Sequence, residues 1–414
     1  MDGASRLRIH DRPPFVVRRS ARIPVSEETF EYATGHGSAH AKTILIGEHA
    51  VVYGYPAIAF PIPHLSLTAT ARLLPYPDSV STHTGRIEGS VSAEGFGTIS
   101  GSYSLTEGFS FDDQTVPGDE VRFESGLTLD VPSSRTGERR GKRRIATVGD
   151  PSTGAIYLDV DTEEAEDELA QSALRTILSH VGEKPGRAEV TVEGSIPTAR
   201  GLGSSAAMAS AIAVAVARLY GHELTSEERF ELVQFVERIA HGTPSGLDAY
   251  QTMADGPLWF QAGKAEPLEL AHAPALVVAD TGLPGHTLDA VRGIRERRER
   301  DPRLVDLALE TIASLAHTTR EALRIGDMSS VGRAMNDCQE ILTELGVSHS
   351  RLEHLVGAAR DAGALGAKLT GGGLGGCIIA LAPSHGAVPA LSRALSAAGA
   401  KNVWSINPAN EESS

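Results

Sequence analysis

The sequence predicts an α+β protein built in two halves, and three observations carry that reading. Between residues 188 and 240, a strand pattern feeds a glycine-rich turn that opens into a long run of small apolar residues, 206–220. Between residues 275 and 406, an apolar strand, four helical stretches, a glycine-rich crossing, a buried strand, a helix and a last strand follow one another. That βααβ-like order places helices on one face of an antiparallel sheet. A chain of 414 residues is also long enough for two or three domains with substantial cores.

Taken in order, residues 1–36 carry Arg6, Arg8, Arg12, Arg18, Arg19 and Arg22 around Pro13-Pro14. An organelle transit peptide would be rich in serine and poor in acids, whereas Asp2, Asp11, Glu27 and Glu28 intrude here. A disordered tail is the expectation. Folded sequence begins near Gly35, with an apolar strand at Thr43-Ile44-Leu45-Ile46, a turn at Gly47-Glu48-His49 and further strands over 57–72. From about 76 to 154 short alternating stretches, 97–105 and 121–131, sit among Gly, Ser and Thr and read as a β-rich insertion. The basic run Arg139-Arg140-Gly141-Lys142-Arg143-Arg144 that follows could bind an anionic partner, and a solvated loop is the safer reading. Acidic residues 161–168 lead into a helix through about 181, and 188–192 is a strand. The next helix, 226–240, starts from a Thr225/Ser226 cap with Glu227 and Glu228 in its first turn. After Trp259-Phe260 come a strand at 275–279, helices near 287–299, 303–325, 329–345 and 350–363, a crossing at 368–376, and a strand at 377–381. A helix at 387–399 and a strand at 401–406 close the chain. The expected domains are therefore 37–262, carrying the insertion, and 263–410.

The bulk composition narrows the function classes. Hydrophobic residues make up 41% and charged residues 22% of the chain, which fits a soluble globular protein. A formal charge of −15 argues against nucleic-acid binding and against a basic membrane-docking face, so any anionic ligand must meet a local positive site. Two cysteines, Cys338 and Cys377, cannot build a disulfide framework, and they suggest a reducing, cytoplasmic compartment. No run approaches the length of a transmembrane helix.

Three segments carry chemistry. In Pro197-Thr198-Ala199-Arg200-Gly201-Leu202-Gly203-Ser204-Ser205 the glycines permit positive φ and close backbone approach. The helix that follows begins with unpaired N–H groups and a partial positive charge, a combination suited to phosphate oxygens. No Lys-Ser/Thr follows the last glycine, so this is not a Walker A loop, and a tight strand–helix connection is the alternative. Second, Lys42 lies just before an apolar strand. It either faces solvent or has a carboxylate or phosphate partner, because a buried unpaired lysine is costly. In the third, Glu237-Arg238-Ile239-Ala240-His241-Gly242-Thr243-Pro244-Ser245-Gly246-Leu247-Asp248, a helix stops at glycine and an acid stands before the next element, either as an N-cap or as a base. Beside these, five glycines in six positions after Thr370 (371–376) leave a run with almost no side chains to pack. Something approaches its backbone closely, or it is a mobile loop.

Together these segments resemble, in order and spacing, the three motifs of the GHMP small-molecule kinases. The stretch 42–58, Ala279-Asp280-Thr281-Gly282 with Gly285-His286-Thr287, Leu345-Gly346-Val347-Ser348 and 364–380 resemble the mevalonate kinases of the Gram-positive bacterial type. The resemblance covers 37–75 and 155–408, with no recognised counterpart for the tail or for 76–154. His40-Ala41 replaces the Pro-Gly that many members carry before the lysine.

The resemblance implies a ribosomal-protein-S5-like N-terminal domain, a ferredoxin-like C-terminal domain, and transfer of the γ-phosphoryl of ATP to the C5 hydroxyl of mevalonate. It maps Asp248 onto the acid facing that hydroxyl. A carboxylate is a weak base toward an alcohol, so proton transfer lags phosphoryl transfer unless the alcohol is acidified. Lys42 is the implied supplier, pairing with Asp248 and offsetting charge on the transferring group. Ser205 and Glu237 map onto ligands of Mg²⁺, a hard ion suited to oxygen. Arg200, Gly201, Leu202, Gly203, Ser204 and Ser205 map onto the ATP phosphate cradle. Glu48, His49, Thr370 and Gly371 map onto the mevalonate pocket, and the 368–376 loop closes around the site. Mevalonate and ATP are the implied partners, with a homodimer left open. The alternatives are another GHMP kinase such as phosphomevalonate kinase, and a catalytically silent sensor of nucleotide or mevalonate. The first would need extra positive residues near Glu48 and His49, where the segment is apolar and acidic. The second has no need of Lys42, Ser205, Glu237 and Asp248 together.

Overall fold

A computed structural model describes residues 34–73, 101–104, 108–111, 142–149, 156–160, 177, 188–241 and 244–406. β1 (Thr34–Ile46) and β2 (Ala57–Leu73) form a long antiparallel pair, joined by a short 3₁₀ turn, Ala50–Tyr53. The chain divides into two units, one of them running from 75 to 139. Within that unit β3 (Gly101–Ser104) and β4 (Gly108–Phe111) pair antiparallel, while the strand expected at 121–131 lies outside the described residues.

The remaining chain forms the other unit and holds two sheets. The first adds β5 (Lys142–Gly149), β6 (Ile156–Val160), β7 (Ala188–Gly194), β8 (Leu258–Gln261) and β9 (Lys264–Pro267), in the order β6-β5-β7-β2-β8-β9 with β1 also on β2. β2 is long enough for β7 to pair with its 67–73 stretch and β8 with its 57–59 stretch. This corrects the solvated-loop reading of the basic run. Lys142, Arg143 and Arg144 pair in register with Glu193, Val192 and Thr191 of β7, so sheet pairing overrides weak local β-propensity. The 76–154 segment therefore supplies a strand to the main sheet. The strand onset at Thr34 likewise falls inside the expected tail, and 262/263 is the turn of the β8–β9 hairpin rather than a boundary between sheets.

Helix α1 (Ser204–Leu219) packs on β1 and β2, with α2 (Ser226–His241) beside it. Its run of Ala, Met, Ile and Val is buried almost all round, and small side chains let it sit close. A Cβ at Gly35 or Gly37 of β1 would collide with the carbonyls of Ala215 and Ala211, so these two glycines set the helix–sheet spacing. α2 begins with a reciprocal capping box. Glu228 N–H donates to Thr225 Oγ1 at 3.2 Å, and Thr225 N–H donates to the Glu228 carboxylate at 2.8 Å. α3 (Leu247–Gln251) is a single short turn of helix. The helix expected between 161 and 181 falls almost wholly outside the described residues.

The second sheet contains β10 (Leu276–Asp280), β11 (Gly366–Thr370), β12 (Cys377–Leu381) and β13 (Asn402–Ile406) in the order β11-β12-β10-β13, antiparallel throughout. Between β10 and β11 run α4 (Thr287–Arg300), α5 (Pro302–Ile325), α6 (Met328–Glu344) and α7 (Ser350–Asp361), and α8 (Val388–Ala397) precedes β13. This is the ferredoxin-like arrangement, with α6, α7 and α8 on the sheet. α5 reaches back to β1 and β2, and the Arg320 guanidinium lies 4.6 Å over the buried Trp259 ring of β8. No helix among the described residues is long and apolar enough to cross a membrane.

Candidate active site

The two sheets meet at a cleft of about 1710 Å³, more than one small ligand needs. Lys42 comes to it from β1, where its side chain is almost fully buried. Burial of an ammonium requires a partner, and Asp248 supplies one: Lys42 Nζ lies 2.9 Å from Asp248 Oδ1. Of the two readings open for Asp248, the N-cap is excluded. Gly246 occupies the cap at φ 96°, and Asp248 stands in the first turn of α3, its backbone carbonyl accepting from Thr252 Oγ1 at 2.9 Å. Its side chain keeps 34% of its surface open, against 3% for Lys42, so the carboxylate faces the cleft and the ammonium supports it from behind. His40, at the position that departs from the family pattern, spans the Ala41 and Ala254 carbonyls at 2.9 Å each, which ties β1 to the segment after α3.

The glycine turn sits directly against Lys42. Lys42 N–H donates to the Leu202 carbonyl at 3.0 Å, and Gly203 caps α1 in the left-handed region, φ 73°. Gly201, Gly203, Ser204 and Ser205 line the cleft, while the Leu202 side chain is buried away from it. Ser205 Oγ donates to Glu237 Oε1 at 2.5 Å. Glu237, on α2, is buried, and its pKa is pushed up to about 7, first by desolvation and then by the negative charge of Asp248; the Ser205 hydrogen bond and Lys42 oppose the rise. A hydroxyl and a carboxylate that resists ionisation thus converge beside Asp248. Among the described residues no group of three His, Cys, Asp or Glu side chains could hold a metal unaided, and this sparse oxygen set suits an ion that keeps waters and phosphate oxygens as its other ligands.

Three expected ligand contacts are used otherwise. Arg200 lines the cleft, but its Nε lies 3.0 Å from Oδ1 of the buried Asp280, and NH2 donates to the Gly282 carbonyl at 3.3 Å. Its charge is met by Asp280 of the second sheet. The Thr370 hydroxyl accepts from Ile44 N–H at 2.9 Å, donates to the Ile44 carbonyl at 3.1 Å and meets Thr43 Oγ1 at 2.9 Å; it stitches β11 to β1 and is saturated. The Glu48 carboxylate forms a sealed ion pair with Lys368 Nζ, both side chains fully buried, although Glu48 borders the cleft and its Oε2 has no hydrogen-bond partner. Burial raises the Glu48 pKa, and Lys368 opposes that rise.

His49 lies next to this pair with its Nε2 3.0 Å from the Gly372 carbonyl. Burial lowers its pKa to about 4, so it is a neutral wall residue. The glycine run is packed rather than mobile, and what approaches it is the protein itself. A Cβ at Gly371 would lie 2.8 Å from Gly201 Cα, and one at Gly372 would lie 2.8 Å from Thr287 Cα. Lys368, Leu369 and Thr370 belong to β11, so the crossing proper is 371–376. Sequence reasoning placed Lys368 only in the closing loop and Asp280 only in a matching segment, and gave Lys401 no role. The usable signal was a charged residue inside or at the end of an apolar strand, as with Lys42.

A left-handed glycine loop opening a buried helix, a lysine–aspartate pair and a hydroxyl–carboxylate pair, set between an α/β sheet and a ferredoxin-like sheet, define a GHMP-type small-molecule kinase. The family model for the GHMP kinases N terminal domain matches residues 168–256, and that for the GHMP kinases C terminal matches 319–401. The mevalonate kinase of Thermococcus sibiricus is 33% identical over 84% of this chain and 88% of its own length. That of Pyrococcus horikoshii is 34% identical over the same shares. Among solved structures, L. major mevalonate kinase in complex with R-mevalonate aligns with a TM-score of 0.64 at 24% identity, covering 91% of this chain and 96% of its own. The chain belongs to the mevalonate kinase family. The two curated relatives come from Thermococcus and Pyrococcus, so the Gram-positive qualifier has no support in them.

Proposed function

We propose that this chain phosphorylates the C5 hydroxyl of mevalonate with ATP, with Asp248 and Lys42 as the catalytic pair. The observation that carries the proposal is the half-open Lys42–Asp248 ion pair beside the glycine loop. Phosphoryl transfer needs positioning and charge stabilisation more than covalent participation. In this reading the exposed Asp248 oxygen accepts a hydrogen bond from the alcohol and orients it, and takes its proton as the new P–O bond forms. Lys42 holds Asp248 in place and lies on the side where negative charge develops. Backbone N–H groups of 201–205 and the positive end of α1 receive the nucleotide phosphates.

Ser205 and Glu237 would hold Mg²⁺. When bound, the ion would neutralise charge on the phosphates. Neutral His49, the Gly371 backbone and Glu48 shape the acceptor pocket, with Thr370 and Lys368 behind them. In this reading the first sheet and its helices form the ATP- and substrate-binding half, and the ferredoxin-like sheet forms the C-terminal half. Cys338 and Cys377 are both free and buried, which fits a cytoplasmic enzyme.

The test is ADP release by the purified chain with Mg-ATP and, separately, mevalonate, phosphomevalonate, homoserine and galactose. Turnover with mevalonate alone is expected. Turnover with phosphomevalonate instead, or with none of the four, overturns the assignment.

A further inference from the structure

The charge distribution around the cleft leaves one question open after the catalytic pair is assigned. Five carboxylates line it, those of Glu48, Glu193, Glu237, Asp248 and Asp289. Three lysine or arginine side chains face them: Lys42, Arg200 and Lys401. Lys42 is committed to Asp248 and Arg200 to Asp280. Lys401 alone of the three has no ion-pair partner among the described residues, and it is exposed. A polyanionic ligand entering an acid-lined cleft of a chain with net charge −15 needs a cation that is not already spent.

Lys401 is held in place. Its backbone N–H donates to the Asp280 carbonyl at 2.8 Å, and its neighbour Asn402 reaches Asp280 Oδ2 at 3.4 Å. The other oxygen of the same carboxylate takes Gly282 N–H at 2.8 Å and Arg200 Nε at 3.0 Å. The aliphatic stem of Lys401 lies over Gly282, where a Cβ would sit 3.5 Å from Lys401 Cβ and 3.6 Å from its Cδ. Asp280 therefore anchors the phosphate loop, through Arg200, and the base of the Lys401 side chain from one buried point.

The corner is on the nucleotide side of the loop. Lys42, and with it Asp248, stands at the Gly203 end, where a Gly203 Cβ would come within 3.0 Å of Lys42 Cγ. Lys401 stands at the Arg200 end, since Arg200 NH2 donates to the carbonyl of the glycine it covers. The acceptor alcohol belongs at the first end; a phosphate tail lying along the loop runs to the second.

We infer that Lys401 is a nucleotide-binding residue whose ammonium contacts the phosphate tail of the nucleoside triphosphate, an assignment that rests on the kinase reading above. Arg200 acts differently, as a positioning residue that fixes the loop to Asp280. Loss of an ionic contact of this kind should weaken ATP binding about tenfold, the equivalent of about 1.4 kcal/mol. Lys401→Gln should raise KM for ATP about tenfold while KM for mevalonate stays within about twofold, and Lys401→Arg should restore most of the loss. The affinity of Lys401→Gln for ATP should also fall less steeply with added salt than that of the parent chain.

Equilibrium binding of ATP without any acceptor decides the matter independently of turnover. If the parent chain binds ATP but phosphorylates no mevalonate, the kinase reading fails while a weakened Lys401→Gln still supports the contact. Unchanged ATP affinity in Lys401→Gln, or a rise confined to KM for mevalonate, overturns it.

Discussion

Two lysine–carboxylate pairs sit within a few residues of one another in sequence at one end, Lys42 with Asp248 and Glu48 with Lys368, and they differ in what surrounds them. The Asp248 carboxylate keeps a third of its surface open to the cleft, whereas both members of the Glu48–Lys368 pair are sealed. A pair with one open oxygen can trade part of its interaction for a ligand at little cost. A sealed pair has already lost its water, and the mutual attraction has to offset that loss. On the proposed mechanism the open pair does the chemistry, while the sealed pair holds the first sheet to the second, through the turn after β1 and through β11. Equal chemistry in two settings thus divides into reactivity and architecture.

The sharpest way to break this division is to remove one member of each pair. Lys42→Met and Asp248→Asn should each lower kcat by about a hundred- to ten-thousand-fold. Lys42→Met, which strands only the solvent-open Asp248, should move the melting temperature by no more than about 4 °C, whereas Asp248→Asn deprives the buried Lys42 ammonium of this partner and should cost more stability. Turnover near that of the parent chain in either variant would sink the catalytic assignment. Lys368→Met should do the reverse in kind. It leaves a buried carboxylate without its counter-charge, at a cost of about 3–5 kcal/mol, read as a lower urea midpoint. The double variant Glu48→Gln/Lys368→Met should recover much of that stability, because no charge is then left buried alone. A Lys368→Met protein as stable as the parent would show that the pair is not architectural.

His49 extends the comparison to pH. Its ring is buried against Gly372, and its pKa falls from the ordinary 6.5 to about 4, chiefly through burial, with the charge of Lys368 adding to the fall. Between those two values the unfolded chain binds more protons than the folded one. This group's contribution to stability is therefore lost as pH falls from 6.5 toward 4, by up to about 3 kcal/mol at the lower end. His49→Asn, a residue that tolerates the left-handed backbone (φ 63°) at this position, should show a shallower loss of stability across that window. An unchanged pH slope would mean that the His49 ring is solvated.

What could be read from the sequence follows the same line between local and distant causes. The glycine loop, the α1 run and the Lys42 strand announce themselves because backbone freedom, small side chains and a charge amid apolar residues are local signals. The ferredoxin-like half was legible from element order alone. Partner choice was not. Glu48 and Lys368 are separated by 320 positions, and nothing near either residue says that they meet. Arg200 and Thr370 have the right chemistry for phosphate and substrate, and only the folded chain shows one turned to Asp280 and the other saturated by β1. The basic run through Lys142, Arg143 and Arg144 misled for a related reason, since its strand character comes from β7 beside it.

Thr370 offers the mildest test of the seam between the sheets. Its hydroxyl satisfies both the N–H and the carbonyl of Ile44, where the β1–β2 register shifts between Ile44 and Ile46. Thr370→Val keeps the shape and removes the partner, so two buried backbone groups lose the bonds it made. The loss should be about 1–3 kcal/mol, smaller than for the broken ion pair because no charge is stranded. If Thr370 is a stitch rather than a substrate contact, the variant should lose stability while its KM for mevalonate stays within about twofold, since a hydroxyl engaged with β1 has little to offer a ligand. A rise in KM of tenfold or more with stability unchanged would return Thr370 to the acceptor pocket and leave the sealed pair as the principal polar link between the sheets.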